Sequence, residues 1–184
     1  MAPLGPNGVA LEVDAKEAGN FDHFRITPKT IALLNKKGIN YLFPIQLKTF
    51  DIAYDGHDLV GRDRTGSGKT LAYALPIIER YRAEGIFSRS DGLPKLLVLV
   101  PTRELAMQVS REINEIKHQP NEYRVIATYG GTDIREQMHG IRQGVEIIVA
   151  APGRIWDLIE RNAVNFSTLK VTKRLTIDYY LRRD

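Results

Sequence analysis

Cysteine is missing from this chain of 184 residues, which excludes a disulfide framework, a cysteine-based zinc site and a thiol nucleophile. Long apolar runs are missing too. The longest, such as residues 96–100, have the length of a strand and fall far short of the ~20 residues that a membrane-spanning helix needs. No basic segment followed by an apolar one opens the chain, so no secretory signal is visible. We therefore expect a soluble intracellular protein without a membrane partner.

The charge balance is mildly basic, with a formal net charge of +4. This excess permits a polyanion as partner, and it is equally typical of side chains that only keep a surface soluble. Hydrophobic residues make up 43% of the chain, which is ordinary globular usage and enough for one domain with a real core. Charge alone therefore leaves the class of partner open.

Apolar segments of strand length alternate with helical patterns over most of the chain. We predict strands at residues 58–61, 96–100, 125–129 and 146–150, and helices at residues 27–38, 44–54, 69–82, 103–118, 133–142 and 154–161. Continuously apolar strands suit a sheet that is buried on both faces, which is the parallel arrangement. The sequence therefore predicts an α/β fold, with an open, mostly parallel sheet and flanking helices. Ligands of such sheets bind beyond the carboxyl ends of the strands.

Residues 65–70 have the composition of a phosphate-binding loop between a predicted strand and a predicted helix. Gly66 and Gly68 allow the backbone to fold closely around an anion, towards which the amides and the helix N-terminus would point. Lys69 would add a positive charge, and Thr70 a hydroxyl for Mg²⁺. The alternative is a glycine- and serine-rich turn between strand and helix. A lysine at a helix N-terminus opposes the helix dipole unless an anion is near, which favours a nucleoside triphosphate site.

Three further segments follow the ends of predicted strands. Thr102 and Arg103 begin a helix after the second strand, Gly130 and Gly131 follow the third, and residues 151–154 follow the fourth. Each segment alone is more typical of a structural turn or a helix start. Together at one edge of a sheet, their backbone amides, arginines and threonine hydroxyl would form a track for the backbone of a nucleic acid.

The ordered set of these segments resembles the first RecA-like domain of a DEAD-box RNA helicase, which has a P-loop NTPase fold. Five motifs have counterparts: the Q motif in Phe21, Gly38 and residues 43–46, motif I in residues 65–70, motif Ia in residues 101–106 with Gln108, the GG motif in residues 130–131, and motif Ib in residues 151–154 with Asp157. The finer likeness is to the nucleolar Gu-type branch of that family.

The resemblance implies ATP and Mg²⁺ as cofactors and RNA as the partner, held by sequence-independent contacts to its backbone. It implies nucleotide binding by Phe21, Ile39, Gln46, Thr65, Gly66, Ser67, Gly68, Lys69 and Thr70, and RNA binding by Thr102, Arg103, Gly130, Gly131, Gly153 and Arg154. Gln46 would read the adenine through its side-chain amide, and Thr70 would ligate Mg²⁺.

The resemblance also implies how the chain is organised. Residues 1–20 would be a disordered lead, residues 21–170 the RecA-like domain, which is incomplete at its C-terminal end, and residues 171–184 a divergent tail. A second RecA-like domain is expected in a full-length parent, and the protein is expected to be a monomer. Its expected location is the nucleus or nucleolus, with the cytoplasm as the alternative.

Three positions depart from the family pattern around the implied ligands. Asp63 stands where a small residue is usual, and its carboxylate would disfavour a triphosphate unless it points away or pairs with Arg62 or Arg64. Ile39 replaces an aromatic residue that would stack on adenine. Ala151 replaces a threonine of motif Ib and removes one phosphate-binding hydroxyl, a loss of about 1 kcal/mol.

The largest departure is near the end of the chain. Asp178 aligns with the first aspartate of the DEAD motif and is a candidate remnant of an Mg²⁺ site, but Tyr179 stands where a glutamate would activate water. Tyrosine is neutral at pH 7 and cannot act as that base. We therefore expect a helicase lobe that binds nucleotide weakly and hydrolyses it poorly. A non-catalytic nucleotide- or RNA-binding short form is the alternative, and a small phosphotransferase is disfavoured because it leaves residues 101–106 and 151–154 without a role.

Overall fold

The structure is a computed structural model that describes residues 16–88 and 91–169. The predicted tail with Asp178 and most of the predicted lead lie outside the described residues. The chain divides into two compact units, Met1–Glu84 and Gly85–Asp184. In the part of the chain that the structure describes, no helix is long and apolar enough to cross a membrane.

The described part of the first unit is built from helices. Residues 16–18 are helical, so the described chain begins inside the predicted lead, and a 3-10 turn follows at Phe21–His23. The three longer helices are α1 (Pro28–Lys36), α2 (Pro44–Tyr54) and α3 (Lys69–Ala83), which confirm the three helices predicted there. Proline at the first position of α1 and α2 suits a helix start because its missing N–H would have no partner there.

Helix α3 is the centre of the first unit, since every residue from Leu71 to Glu79 is buried. The carboxylate of Glu79 is 2% exposed and accepts hydrogen bonds from Arg82 Nη1 at 2.6 Å and from the backbone N of Thr27 at 2.9 Å. A buried carboxylate needs such donors to offset its lost hydration. These bonds tie the start of α1 to the middle of α3.

The strand predicted at residues 58–61 is wrong. These residues have no regular secondary structure, and the side chain of Val60 is fully exposed. A strand is stable only when a neighbour satisfies its backbone N–H and C=O groups, and no described residue pairs with this segment. The apolar pattern of these residues was therefore not enough to predict a strand, because a strand also needs a partner.

The second unit contains a sheet of three parallel strands, β1 (Leu96–Leu99), β2 (Val125–Thr128) and β3 (Ile147–Ala150), in the order β1-β3-β2. Leu99 and Thr128 both pair with Ala150, so the three carboxyl ends lie side by side. The central strand β3 is buried along its whole length. The predicted parallel α/β sheet is confirmed for this part of the chain.

Three helices connect and follow these strands: α4 (Arg103–Asn114), α5 (Ile134–Arg142) and α6 (Pro152–Glu160). Helix α4 ends four residues before the predicted end, and α6 begins at Pro152 instead of Arg154. This second difference matters for the site, because Gly153 and Arg154 then belong to the first turn of α6. The apolar residues Ile155 and Leu158 of α6 pack with Ile148 and Ala150 of β3.

Candidate functional site

The predicted phosphate-binding loop of the first unit, residues 65–70, leads directly into α3. Gly66 and Gly68 have φ angles of 82° and 79°, in the left-handed region that glycine adopts most easily. Gly68 is also the N-cap of α3. The loop thus requires both glycines for its backbone conformation, and its end coincides with a helix N-terminus, where backbone N–H groups have no partner within the helix.

Within the described chain, the backbone amides of Gly66, Ser67 and Gly68 donate to no carbonyl or side chain. The hydroxyl of Ser67 is enclosed and lies beside the carboxylate of Asp63, whose pKa it helps to lower. Successive unpaired N–H groups in a left-handed turn, next to the positive end of a helix dipole, form a concave site for an anion. The loop therefore has the donors that a phosphate group requires.

The ammonium of Lys69 folds back over this loop. Its Nζ donates to the backbone carbonyls of Asp63 at 2.8 Å and Arg64 at 2.6 Å. These neutral oxygens are weak partners for a full positive charge at a helix N-terminus. A phosphate would be a stronger partner for the same ammonium.

The carboxylate of Asp63 lies beside the loop and is held by the backbone of the next residue. Its Oδ1 accepts a hydrogen bond from the backbone N of Arg64 at 2.8 Å. That bond, with the Ser67 hydroxyl and the nearby charges of Lys69 and Arg64, holds the pKa of the Asp63 carboxyl below its ordinary value. The group is therefore an anion at neutral pH, close to the ammonium that would bind phosphate.

Gln46 lies between α2 and the loop, with 2% of its surface exposed. Its Oε1 accepts from the backbone N of Phe43 at 2.9 Å, and its Nε2 donates to the carbonyl of Gly68 at 3.1 Å. Thr49 adds a second link, because its hydroxyl donates to the carbonyl of Ala72 in α3 at 2.9 Å. The structure thus brings Gln46 to the loop. The oxygen and the nitrogen of its amide each make one hydrogen bond within the protein.

The remaining predicted nucleotide-binding residues lie in different environments. Phe21 is buried at 5% exposure in its 3-10 turn, and Ile39 is half-buried after Gly38. Thr65 is exposed, whereas Thr70 is half-buried in the first turn of α3, with no hydrogen bond from its hydroxyl to any described residue. Among the described residues, no three His, Asp or Glu side chains converge as metal ligands.

The second unit gathers the three predicted strand-end segments at one edge of its sheet. The guanidinium of Arg103 lies over the ring of Tyr129, 4.9 Å from the ring centroid. A Cβ on Gly131 would lie 3.7 Å from Arg103 Nη1. Thr102 caps α4, since its hydroxyl accepts from Leu105 N at 3.3 Å. The segments that follow β1 and β2 therefore meet at this edge, beyond the central strand β3, as expected for parallel strands.

Arg154 connects the end of β3 to the same edge. Its Nη2 donates to the carbonyl of Thr132 at 3.0 Å, and its side chain is 9% exposed. Asp157 Oδ2 lies 3.8 Å from Nε, but neither Nε nor Nη1 makes a hydrogen bond. Buried guanidinium donors are costly when they are unpaired, and because these two nitrogens are enclosed, an anion at this edge would satisfy them only after the side chain moves.

Gln137 is a member of this cluster that the sequence analysis missed. It is 8% exposed in α5, and its Nε2 donates to the carbonyl of Tyr129 at 3.1 Å and to the hydroxyl of Thr132 at 2.7 Å. A signal was present, because the spacing from Ile134 to Ile141 places residue 137 on the inward face of an amphipathic helix. Gln137 holds the turn that carries Gly130 and Gly131.

Comparison with known proteins identifies a family for most of the chain. Residues 43–178 match the family described as DEAD/DEAH box helicase. The solved structure of a hypothetical ATP-dependent RNA helicase from Sulfolobus tokodaii is similar, with a TM-score of 0.66 and 33% identity over 78% of this chain and 39% of that one. This likeness confirms the RecA-like α/β fold.

Three curated proteins illustrate the sequence likeness. The chain is 42% identical to ATP-dependent RNA helicase DDX50 of Mus musculus over 84% of this chain and 21% of that protein. It is 42% identical to Nucleolar RNA helicase 2 of Rattus norvegicus, over 87% and 20%. It is 44% identical to DEAD-box ATP-dependent RNA helicase 7 of Oryza sativa subsp. japonica, over 91% and 23%. The chain thus spans about a fifth of the length of these relatives.

Proposed function

We propose, from the premise that this chain belongs to the DEAD/DEAH box helicase family, that it binds ATP with Mg²⁺ and the backbone of RNA. In a full-length protein this region would contribute to RNA-stimulated ATP hydrolysis and RNA unwinding. The observation that carries the proposal is the loop at residues 65–70. Its unpaired amides and the Lys69 ammonium, which donates only to two neutral backbone carbonyls, supply the donors that a triphosphate needs.

The residues present fit a nucleotide. The amides of Gly66 to Lys69 would hold the β-phosphate, Lys69 would exchange its two carbonyl partners for phosphate oxygens, and Thr70 would offer its hydroxyl to Mg²⁺. When bound, Mg²⁺ would neutralise charge between the phosphate oxygens. The amide of Gln46 retains a second N–H and a second lone pair, which match the acceptor and donor at one edge of adenine. Because Gln46 is buried, reading a base requires its neighbours to move aside.

RNA would lie along the strand-end edge of the second unit. Arg103 is exposed there, Arg154 has two guanidinium nitrogens without hydrogen bonds, and Gly130, Gly131 and Gly153 permit close approach of a phosphate. A Cβ at Gly130 or Gly153 would meet nothing within 4 Å. Contacts of this type do not depend on base sequence, as expected for an enzyme that acts on many RNAs.

The proposal includes weak turnover by this chain. Tyr179, which lies outside the described residues, stands at the position of the expected catalytic glutamate and cannot accept a proton at neutral pH. Binding without efficient hydrolysis is therefore the form of activity that the sequence favours. A non-catalytic role on RNA is compatible with such binding. We further propose that the chain is a monomer and that it acts in the nucleus or nucleolus, because some of its relatives are named as nucleolar helicases.

Equilibrium titrations with ATP and Mg²⁺ and with a single-stranded RNA, followed by a steady-state ATPase assay, test the proposal. We expect saturable binding of both ligands, loss of ATP binding in Lys69→Ala, and little turnover with or without RNA. Arg142→Ala is the control, because Arg142 is exposed at the far end of α5 and should bind both ligands like the parent chain. Strong RNA-stimulated turnover, or ATP binding that survives Lys69→Ala, would contradict the proposal.

A further inference from the structure

Trp156, the only tryptophan of the chain, is exposed on α6. Its side chain is 61% exposed, whereas its neighbours Ile155 and Leu158 are buried in the core. Tryptophan is among the residues with most apolar surface to bury, so an indole held in solvent gains free energy when another flat apolar group covers it. The ring therefore has no role in the core of the second unit.

The indole is oriented on the helix surface. Its Nε1 donates to Glu160 Oε1 at 2.9 Å, which is a bond between residues one turn apart. Among the described residues, no aromatic ring and no cationic side chain stacks on its face. The bond fixes the polar edge of the ring and leaves its flat surface available.

Trp156 lies next to the strand-end edge of the sheet. It is three residues after Gly153, and side chains three apart are neighbours on a helix surface, with about 5–6 Å between Cβ atoms. Gly153 has no side chain, and the space around it is open. Arg154, with its two nitrogens that make no hydrogen bond, is in the same helical turn. A single-stranded RNA whose backbone passes over Gly153 would thus bring its next base to the indole.

The charges of α6 favour a phosphate at the start of the helix and a neutral base at Trp156. Asp157 Oδ2 lies 3.8 Å from Arg154 Nε, whereas Glu160 is exposed one turn beyond Trp156, where its carboxylate would repel a phosphate. The helix N-terminus and Arg154 attract a phosphate at the opposite end of the same turn. A nucleobase is neutral and has a π-face, so it suits the position between these charges.

We propose that Trp156 is a stacking platform for one base of a single-stranded RNA whose backbone crosses the first turn of α6. This inference rests on the proposed RNA binding and adds to it a base contact that the backbone track lacks. Stacking on an aromatic side chain accepts any base, so the contact raises affinity without adding sequence preference.

The test uses the fluorescence of this single tryptophan. An RNA oligonucleotide should quench the emission of Trp156, whereas an abasic oligonucleotide of the same length should bind and leave the emission unchanged. Trp156→Ala should weaken RNA binding by about 5- to 100-fold, and Trp156→Phe should retain most of the affinity. Ile159→Ala, on the same helix and 38% exposed, is the control and should bind like the parent chain.

The outcomes separate the two proposals. RNA binding with unchanged emission and with parental affinity in Trp156→Ala would overturn the stacking platform and leave RNA binding intact, and the indole would then be a surface for a protein partner. An equal loss of affinity in Trp156→Ala and Ile159→Ala would also overturn it, because the effect would belong to the helix. No RNA binding by the parent chain would contradict both proposals.

Discussion

Gln46 Nε2 donates a hydrogen bond of 3.1 Å to the backbone carbonyl of Gly68 and so joins the start of α2 to the phosphate loop. The other end of the same amide accepts from Phe43 N. One buried side chain therefore determines both where a helix begins and where the last carbonyl of the loop points. A ligand that moves the loop would therefore also shift the N-terminus of α2.

Because of this contact, alanine should be more costly at one of the two loop glycines than at the other. Both have positive φ, so alanine at either costs about 1–2 kcal/mol of backbone free energy. A Cβ at Gly68 would also lie 2.3 Å from Gln46 Nε2, whereas a Cβ at Gly66 would meet nothing within 4 Å. We expect Gly68→Ala to lower the free energy of unfolding more than Gly66→Ala, as measured by urea denaturation.

The double variant checks the cause. Removing the clashing amide with Gln46→Ala should make Gly68→Ala less costly than it is in the parent background. Equal effects of the two glycine replacements, or strict additivity in the double variant, would show that the Gln46 contact does not constrain the loop.

Asp63 provides a test of charge at the phosphate site. Its carboxyl is ionised at neutral pH and lies close to the Lys69 ammonium. Asp63→Asn removes the charge but retains an oxygen that can accept from Arg64 N, so the loop should keep its conformation. We expect tighter ATP binding, by several-fold at low salt, with the gain reduced at high salt.

A titration of ATP by calorimetry at two salt concentrations measures this effect, with Asp58→Asn as the matched control because Asp58 is exposed and makes no hydrogen bond or ion pair with a described residue. Unchanged or weaker affinity in Asp63→Asn would place the phosphates away from residue 63.

Asp91 and Lys95 link acid stability to the start of β1. Lys95 is 4% exposed and donates to the Asp91 carboxylate, which lowers the pKa of Asp91. Because the folded-state pKa is below the unfolded value of ~3.9, the stabilisation is complete above that value and is lost as the pH falls through the folded pKa. Asp91 is partly exposed, so we expect Asp91→Asn to cost only about 1 kcal/mol at pH 7.

Urea denaturation at pH 7 and at pH 3 distinguishes this account from a general surface effect. The difference between parent and Asp91→Asn should shrink at the lower pH. A constant difference at both pH values would mean that the carboxylate charge of Asp91 does not stabilise the fold.

The backbone track predicts how RNA affinity depends on salt. Each phosphate contact that is removed lowers the slope of log affinity against log salt by about 1. We expect Arg103→Ala combined with Arg154→Met to flatten the slope by about two, with methionine chosen to fill the buried site of Arg154. Arg142→Ala should retain the parent slope apart from a small general effect of charge. An unchanged slope in the double variant would place RNA elsewhere.

Local signals predicted the helices and the parallel sheet well. Pro28 and Pro44 fix the starts of α1 and α2, and Thr102 fixes that of α4, because each signal acts within one helical turn. The shared edge of the segments that carry Arg103 and Gly131 also followed from sequence, since parallel strands end at the same edge.

Features that depend on distant partners were not predictable. The strand expected at residues 58–61 needs a neighbour that the local pattern cannot supply. The inward position of Gln46, the burial of Arg154 and the contact of Gln137 with Tyr129 each depend on segments brought together by folding. Sequence named the first two as ligand-binding residues, but only the tertiary structure shows that their polar groups also hold the loop and the turn.

The most direct test of the central claim is the change in melting temperature of the chain with ATP compared with GTP, each with Mg²⁺. A ligand that binds only the folded state at 100 times its Kd adds about 2.7 kcal/mol of stability, which is readily measured. We expect a clear rise with ATP, a smaller rise with GTP, and no rise with ATP in Lys69→Ala. No shift with ATP, or an equal shift with both nucleotides that persists in Lys69→Ala, would contradict it.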